Sequence, residues 1–149
     1  MFQLKAEDRM RAWRDFRTSI ESLPVEQALA QTAELWAGVP FVPYHLDADT
    51  FESFPDPWTL IYENTYCDIA KCLGIVYTML LTGHRTSLDV EIRVYEDVNT
   101  KHRYNLAWFE QGKYILNLID GEVVNTKQLR QTLELKQQLT AVDLQLEQY

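Results

Sequence analysis

Between Thr18 and Ala70 the chain has no lysine or arginine, and every formally charged residue in that stretch is Asp or Glu. With 14 Lys and Arg against 22 Asp and Glu, the net charge is −8. A nucleic-acid footprint needs a basic face, so no nucleic-acid partner is expected. Cysteine is nearly absent. Cys67 and Cys72 stand five apart, would lie on different sides of one helix, and cannot bridge without breaking it. Disulfide staples are thereby excluded, and reduced thiols point to a cytosolic setting. Glycine and proline are sparse, at five each, with no repeat and no low-complexity segment. The N-terminus has no apolar stretch of signal-peptide length, so export by a signal of its own is not expected. A chain of 149 residues is long enough for one domain burying roughly 68–70% of its unfolded surface.

Long apolar runs are also missing, save one. From Thr65 to Gly83 only Asp68, Lys71 and Thr78 interrupt a segment that is apolar on nearly every side of a helical wheel. Such a helix is a buried one. Its early charges, internal Gly74 and lack of a second apolar segment favour a core helix over a membrane span. Cys67 falls in its first predicted turn, where free backbone N–H groups and the helix dipole favour a thiolate.

Met10, Trp13, Phe16, Ile20 and Leu23 recur at three- and four-residue steps and predict a helix over about 6–22. Val25, Leu29 and Trp36 continue that period after Pro24 until Gly38 and Pro40 end it, which makes a helical hairpin. Residues 39–54 read as an ordered excursion rich in Pro and aromatics. His45, Asp47 and Asp49 within it lack a second His or Cys at ligand spacing, so neither metal nor cofactor is expected. Asp56-Pro57 is an N-cap and first-turn pair for a short helix, with Asn64 or Thr65 capping the next.

After Gly83 the period becomes two. Val90, Ile92 and Val94 alternate with charged neighbours, strands follow over 102–109 and 113–120, and a short strand near Val123 closes an antiparallel sheet of three to four strands. The chain is thus α+β over residues 1–126. Leu135, Leu139, Val142, Leu146 and Tyr149 keep a four-three spacing that predicts a long C-terminal helix over about 127–149, with a stripe for a protein partner or self-association.

A three-residue loop, Glu110-Gln111-Gly112, would pair Trp108 with Tyr114, Leu106 with Leu116, Tyr104 with Leu118 and His102 with Asp120. That register makes one face apolar throughout, and this face is expected to pack on the apolar helix. Other loop lengths would set Asn117 opposite Leu106. If the polar end of the face meets the helix start, Cys67, His102 and Asp120 form thiol, base and orienter.

In that order of elements the chain resembles the transglutaminase-like branch of the papain-type cysteine enzymes. Cys67-Asp68-Ile69-Ala70 is similar to the family's Cys-helix opening, His102-x-Tyr104 to its His-x-Trp, and Gly112-x-Tyr114 to its hairpin exit before Asp120. The resemblance spans about residues 64–121 and implies a Cys67, His102, Asp120 catalytic set. Tyr replaces both family tryptophans. Residues 54–68 are also similar in overall look to small proteins of tailed bacteriophages. Two functions follow as expectations. One is a non-catalytic structural or assembly protein of phage type on a transglutaminase-like core, cytoplasmic or virion-associated, binding protein partners and no membrane. The alternative is a thiol-dependent acyl transferase or peptidase.

Overall fold

The computed structural model describes residues 1–149. Four helices, α1 (Ala6–Glu21), α2 (Val25–Ala37), α3 (Pro57–Glu63) and α4 (Asp68–Leu80), precede five strands, β1 (Val90–Asp97), β2 (Arg103–Phe109), β3 (Tyr114–Leu116), β4 (Val123–Val124) and β5 (Leu133–Thr140). The strands form one antiparallel sheet in the order β4-β3-β2-β1-β5. The α+β class and the short strand at Val123 match expectation. No helix is long and apolar enough to cross a membrane.

The apolar segment is the buried helix its composition predicts. From Ile69 to Leu80 every residue of α4 is buried. One hydroxyl inside it organises the helices around it. Thr78 Oγ1 accepts the indole N–H of Trp13 from α1 at 3.0 Å and that of Trp36 from α2 at 2.9 Å, and donates to the Gly74 carbonyl at 2.6 Å. All three side chains are fully buried, so the two indoles have no water to turn to. Gly74 is required beneath this triple junction: a Cβ there would stand 2.1 Å from Trp36 Cη2. The α1–α2 hairpin is therefore tied to α4 by hydrogen bonds as well as by apolar burial. Asp56 caps α3 as predicted, accepting the Thr59 N–H at 2.8 Å.

β2 packs on α4 through the face opposite to the one the hairpin pattern indicates, whereas Tyr114 and Leu116 of β3 face α4 as expected. Ile92, Val94, Ala107, Phe109, Tyr114, Leu116 and Leu139 share a core with α4. Leu106, Trp108 and Ile115 join Tyr95 and Val124 on the far side, with Tyr104 and Leu118 packed against them. The hairpin register is shifted by one residue, since Phe109 pairs with Tyr114, Trp108 with Ile115 and Ala107 with Leu116. Two causes combine. Glu110 and Gln111 adopt positive φ along with Gly112, which lengthens the loop to four residues. The far face is covered too, with Leu129 and Leu133 packed on it, so apolarity alone does not choose between faces. The strand also ends at Leu116, short of Asp120.

No C-terminal helix forms. Residues 133–140 are β5, paired with β1 and kinked by a bulge at Val94/Tyr95. The predicted stripe is scattered accordingly. Leu139 and Leu146 are in the core, Tyr149 packs edge-on to Tyr77, Leu135 is 41% exposed and Val142 70% exposed. Within 133–139 the odd positions carry Leu, Leu, Gln and Leu, a period of two that the four-three count overlooks. The partner-binding surface assigned to Leu135, Leu139, Val142, Leu146 and Tyr149 thus does not exist as a helical stripe.

Thr78→Val, which keeps the side chain's shape but removes the acceptor, should cost on the order of 2–6 kcal/mol by stranding two buried indole N–H groups. Urea unfolding checks this; an unchanged midpoint would mean the junction contributes nothing.

Candidate functional site

Cys67 is the N-cap of α4, one residue before its predicted place in the first turn, with extended backbone and no side chain capping the helix start. It is 4% exposed. Its sulfur is held by one residue of the preceding excursion: the Leu46 N–H donates to Sγ at 3.3 Å, and the thiol faces the Leu46 carbonyl at 3.7 Å. That excursion is fixed at its other end. Phe41 bridges Tyr66 in parallel, and the Val42 N–H donates to the Tyr66 carbonyl at 2.8 Å. Asp47 is used locally, accepting the Asp49 N–H at 2.9 Å.

Between this segment and the sheet lies a cleft of about 480 Å³. Phe41, Pro43, Tyr44 and Leu46 make one wall, Cys67, Asp68 and Ile69 the floor, and Lys101, His102, Arg103 and Asn105 the opposite wall. The turn between β1 and β2 sets the opposite wall. The Asp97 carboxylate accepts N–H groups of Asn99 at 2.8 Å and Thr100 at 3.2 Å and the Thr132 hydroxyl at 3.1 Å. Those donors, the backbone ones foremost, hold its carboxyl below the usual range.

The three residues read from the sequence as a catalytic set are not joined. His102 borders the cleft, but its ring packs edge-on to Tyr104 at 4.6 Å, and Tyr104 packs against the far-face cluster. Asp120 forms an ion pair with Lys71 of α4. No hydrogen bond links Cys67, His102 and Asp120 to one another. The one-residue register shift accounts for this, since it assigns the α4 side of β2 to Asn105, Ala107 and Phe109.

What the α4 side of β2 presents beside Cys67 is an amide network that the sequence reading missed. The Asp68 carboxylate accepts the Asn105 main-chain N–H at 3.2 Å, the Asn105 side-chain amide at 2.8 Å and the Asn117 side-chain amide at 3.2 Å. Asn117 also donates to the Asn105 carbonyl at 2.8 Å, from a backbone with φ of 77°. Asn tolerates that conformation better than most residues. The available signal was a polar residue in phase with Ala107 and Phe109. Cys72, by contrast, is sealed in the core, and burial pushes its thiol well above the ordinary value.

A buried helix with a cysteine at its N-cap, followed by an antiparallel sheet across a cleft, is an arrangement known from other proteins. Solved structures share it. LapG of Legionella pneumophila, a transglutaminase-like cysteine protease, superimposes with a TM-score of 0.73 at 15% identity over 91% of this chain and 75% of that chain. Its calcium-bound form gives a TM-score of 0.75 at 14% identity over 93% and 78%, and the EGTA-treated form 0.72 at 15% over 91% and 74%. At this identity the likeness establishes the fold. No family model matches the chain, and no curated protein matches it.

The preferred expectation of a non-catalytic structural or assembly protein is corrected by these neighbours, because the solved structure whose fold the chain shares is that of a cysteine protease, LapG, and they lend no support to a phage type. One neighbour is calcium-bound; in this chain no three His, Cys, Asp or Glu side chains gather. The cleft-lining carboxylates, Asp47 and Asp68 of the floor, accept N–H groups.

Asp68→Ala should cost about 1.5–3 kcal/mol, because three N–H groups lose a charged acceptor. Thermal denaturation checks this, and a variant as stable as the parent would show that the network does not tie α4 to β2.

Proposed function

We propose that the chain is a thiol-dependent acyl transferase or peptidase in which Cys67 is the nucleophile. The observation that carries this reading is the position of the Cys67 sulfur, at the uncapped N-terminus of a buried helix, on the floor of an open cleft, with the Leu46 N–H aimed at it. The sulfur attacks a carbonyl carbon, the carbonyl oxygen takes the negative charge, and the leaving amine or alcohol departs with a proton. Water or a second amine then cleaves the thioester. The Leu46 N–H and the free amides of the first turn of α4 are the donors nearest to where that charge develops.

His102 is the base in this reading, since it is the one imidazole bordering the cleft. Serving Cys67 requires its ring to leave Tyr104 and turn into the cleft, a change of side-chain torsions of the kind that substrate binding brings about. Asp120 is committed to Lys71, so the imidazole works without that carboxylate as orienter.

Iodoacetamide at neutral pH should alkylate Cys67 about a hundredfold faster than Cys72, whose raised pKa keeps it a neutral thiol until well into the alkaline range. His102→Gln should slow acylation of Cys67 by a peptide ester, whose binding turns the imidazole into the cleft, by about tenfold or more and leave Cys72 alone. Peptide mapping by mass spectrometry reads both rates. Equally slow thiols would end the enzyme reading, and a His102→Gln variant as fast as the parent would remove His102 from it.

A further inference from the structure

The two walls of the cleft differ in chemistry. On one side Phe41 is 63% exposed and Tyr44 is 99% exposed, and neither ring has an aromatic or hydrogen-bonding partner. Tyr44 also has φ of 58°, a left-handed conformation that costs a non-glycine residue about 1–2 kcal/mol. The segment is anchored on either side, at Val42 on Tyr66 and at Leu46 on Cys67, so a strained tyrosine is held outward at the mouth of the cleft.

On the other side Lys101 and Arg103 flank His102, and neither makes an ion pair, a cation-π contact or a side-chain hydrogen bond. Glu96, directly across the ladder from Arg103, is engaged by Lys136 instead. The two cleft carboxylates, Asp47 and Asp68, bond to N–H groups and form no ion pair with these cations. On a chain of net charge −8, two cations without ion-pair partners on one wall of one cleft form a local site for an anion.

We propose that the cleft selects a peptide carrying an acidic side chain beside a large apolar one, the acid against Lys101 and Arg103 and the apolar group against Phe41 and Tyr44. This deepens the thiol reading and rests on Cys67 as nucleophile. Two exposed opposite charges contribute modestly each, and together they supply about tenfold discrimination against a neutral isostere.

The test uses the full chain and two dipeptide chloromethyl ketones of equal size, one with Phe and Glu, the other with Phe and Gln. Rates of adduct formation at Cys67 are each divided by the iodoacetamide rate at the same thiol. The expected result is about a tenfold preference for the Glu reagent that disappears in Lys101→Gln/Arg103→Gln and in high salt, and a slowing of both reagents in Phe41→Ala/Tyr44→Ala. Equal rates for the two reagents at a thiol that iodoacetamide labels rapidly would overturn the specificity while leaving the thiol reading in place. A Cys67 that no reagent labels would overturn both.

Discussion

One threonine hydroxyl holds the helical half of this protein in register. Thr78 lies in the last turn of a helix with no solvent-facing side and receives two indole N–H groups from two different helices. Buried polar groups must be satisfied, so the tryptophans of α1 and α2 can occupy only the positions that reach this oxygen. Trp36 in turn needs the gap left by Gly74, and it meets Phe2 and Tyr66 through tilted and edge-on ring contacts. Tyr66 is the residue immediately before Cys67 and also the anchor of the Phe41–Val42 segment. A continuous chain of contacts therefore runs from the core hydroxyl to the floor and one wall of the cleft.

The opposite wall depends on the sheet, and there a single polar exchange sets the geometry. Asp68 follows the cysteine and gathers Asn105 from β2 and Asn117 from the end of β3. These contacts fix the start of α4 against the strand that faces it. They also occupy the side of β2 nearest Cys67 with amides, which do not titrate, and leave the imidazole of His102 at the border. The site is thus a well-held thiol and, in the proposed reaction, a base that has to be brought in.

The parts legible in the sequence were those governed by a single strong period. The helical hairpin, the buried central helix, the Asp56-Pro57 start and the strand β1 all have one dominant pattern and no competing one. The hairpin of β2 and β3 has apolar residues on both faces, so its register depended on loop length, and the positive φ at Glu110 and Gln111 is a conformation those residue types do not announce. The rejected arrangement, with Asn117 turned toward the core, is the one adopted, because Asp68 and the Asn105 carbonyl satisfy its amide. The last strand was misread because four-three spacing and alternation share Leu135 and Leu139, and the four-three count runs on past the end of the strand at Thr140 to Val142, Leu146 and Tyr149. Cys67 lies at the start of the apolar run, where the pattern put it; the Asn105 and Asn117 amides beside it were not legible, since they depend on the misread register.

The central claim is that Cys67 accepts an acyl group. Incubating the chain with an activated ester and mapping the acylated residue by mass spectrometry tests it directly. The account predicts an acyl group on the Cys67 sulfur that forms rapidly, is lost again to water or an added amine, and is absent from Cys67→Ala. Acylation confined to surface lysines, with Cys67 unmodified while the fold is intact, would contradict it.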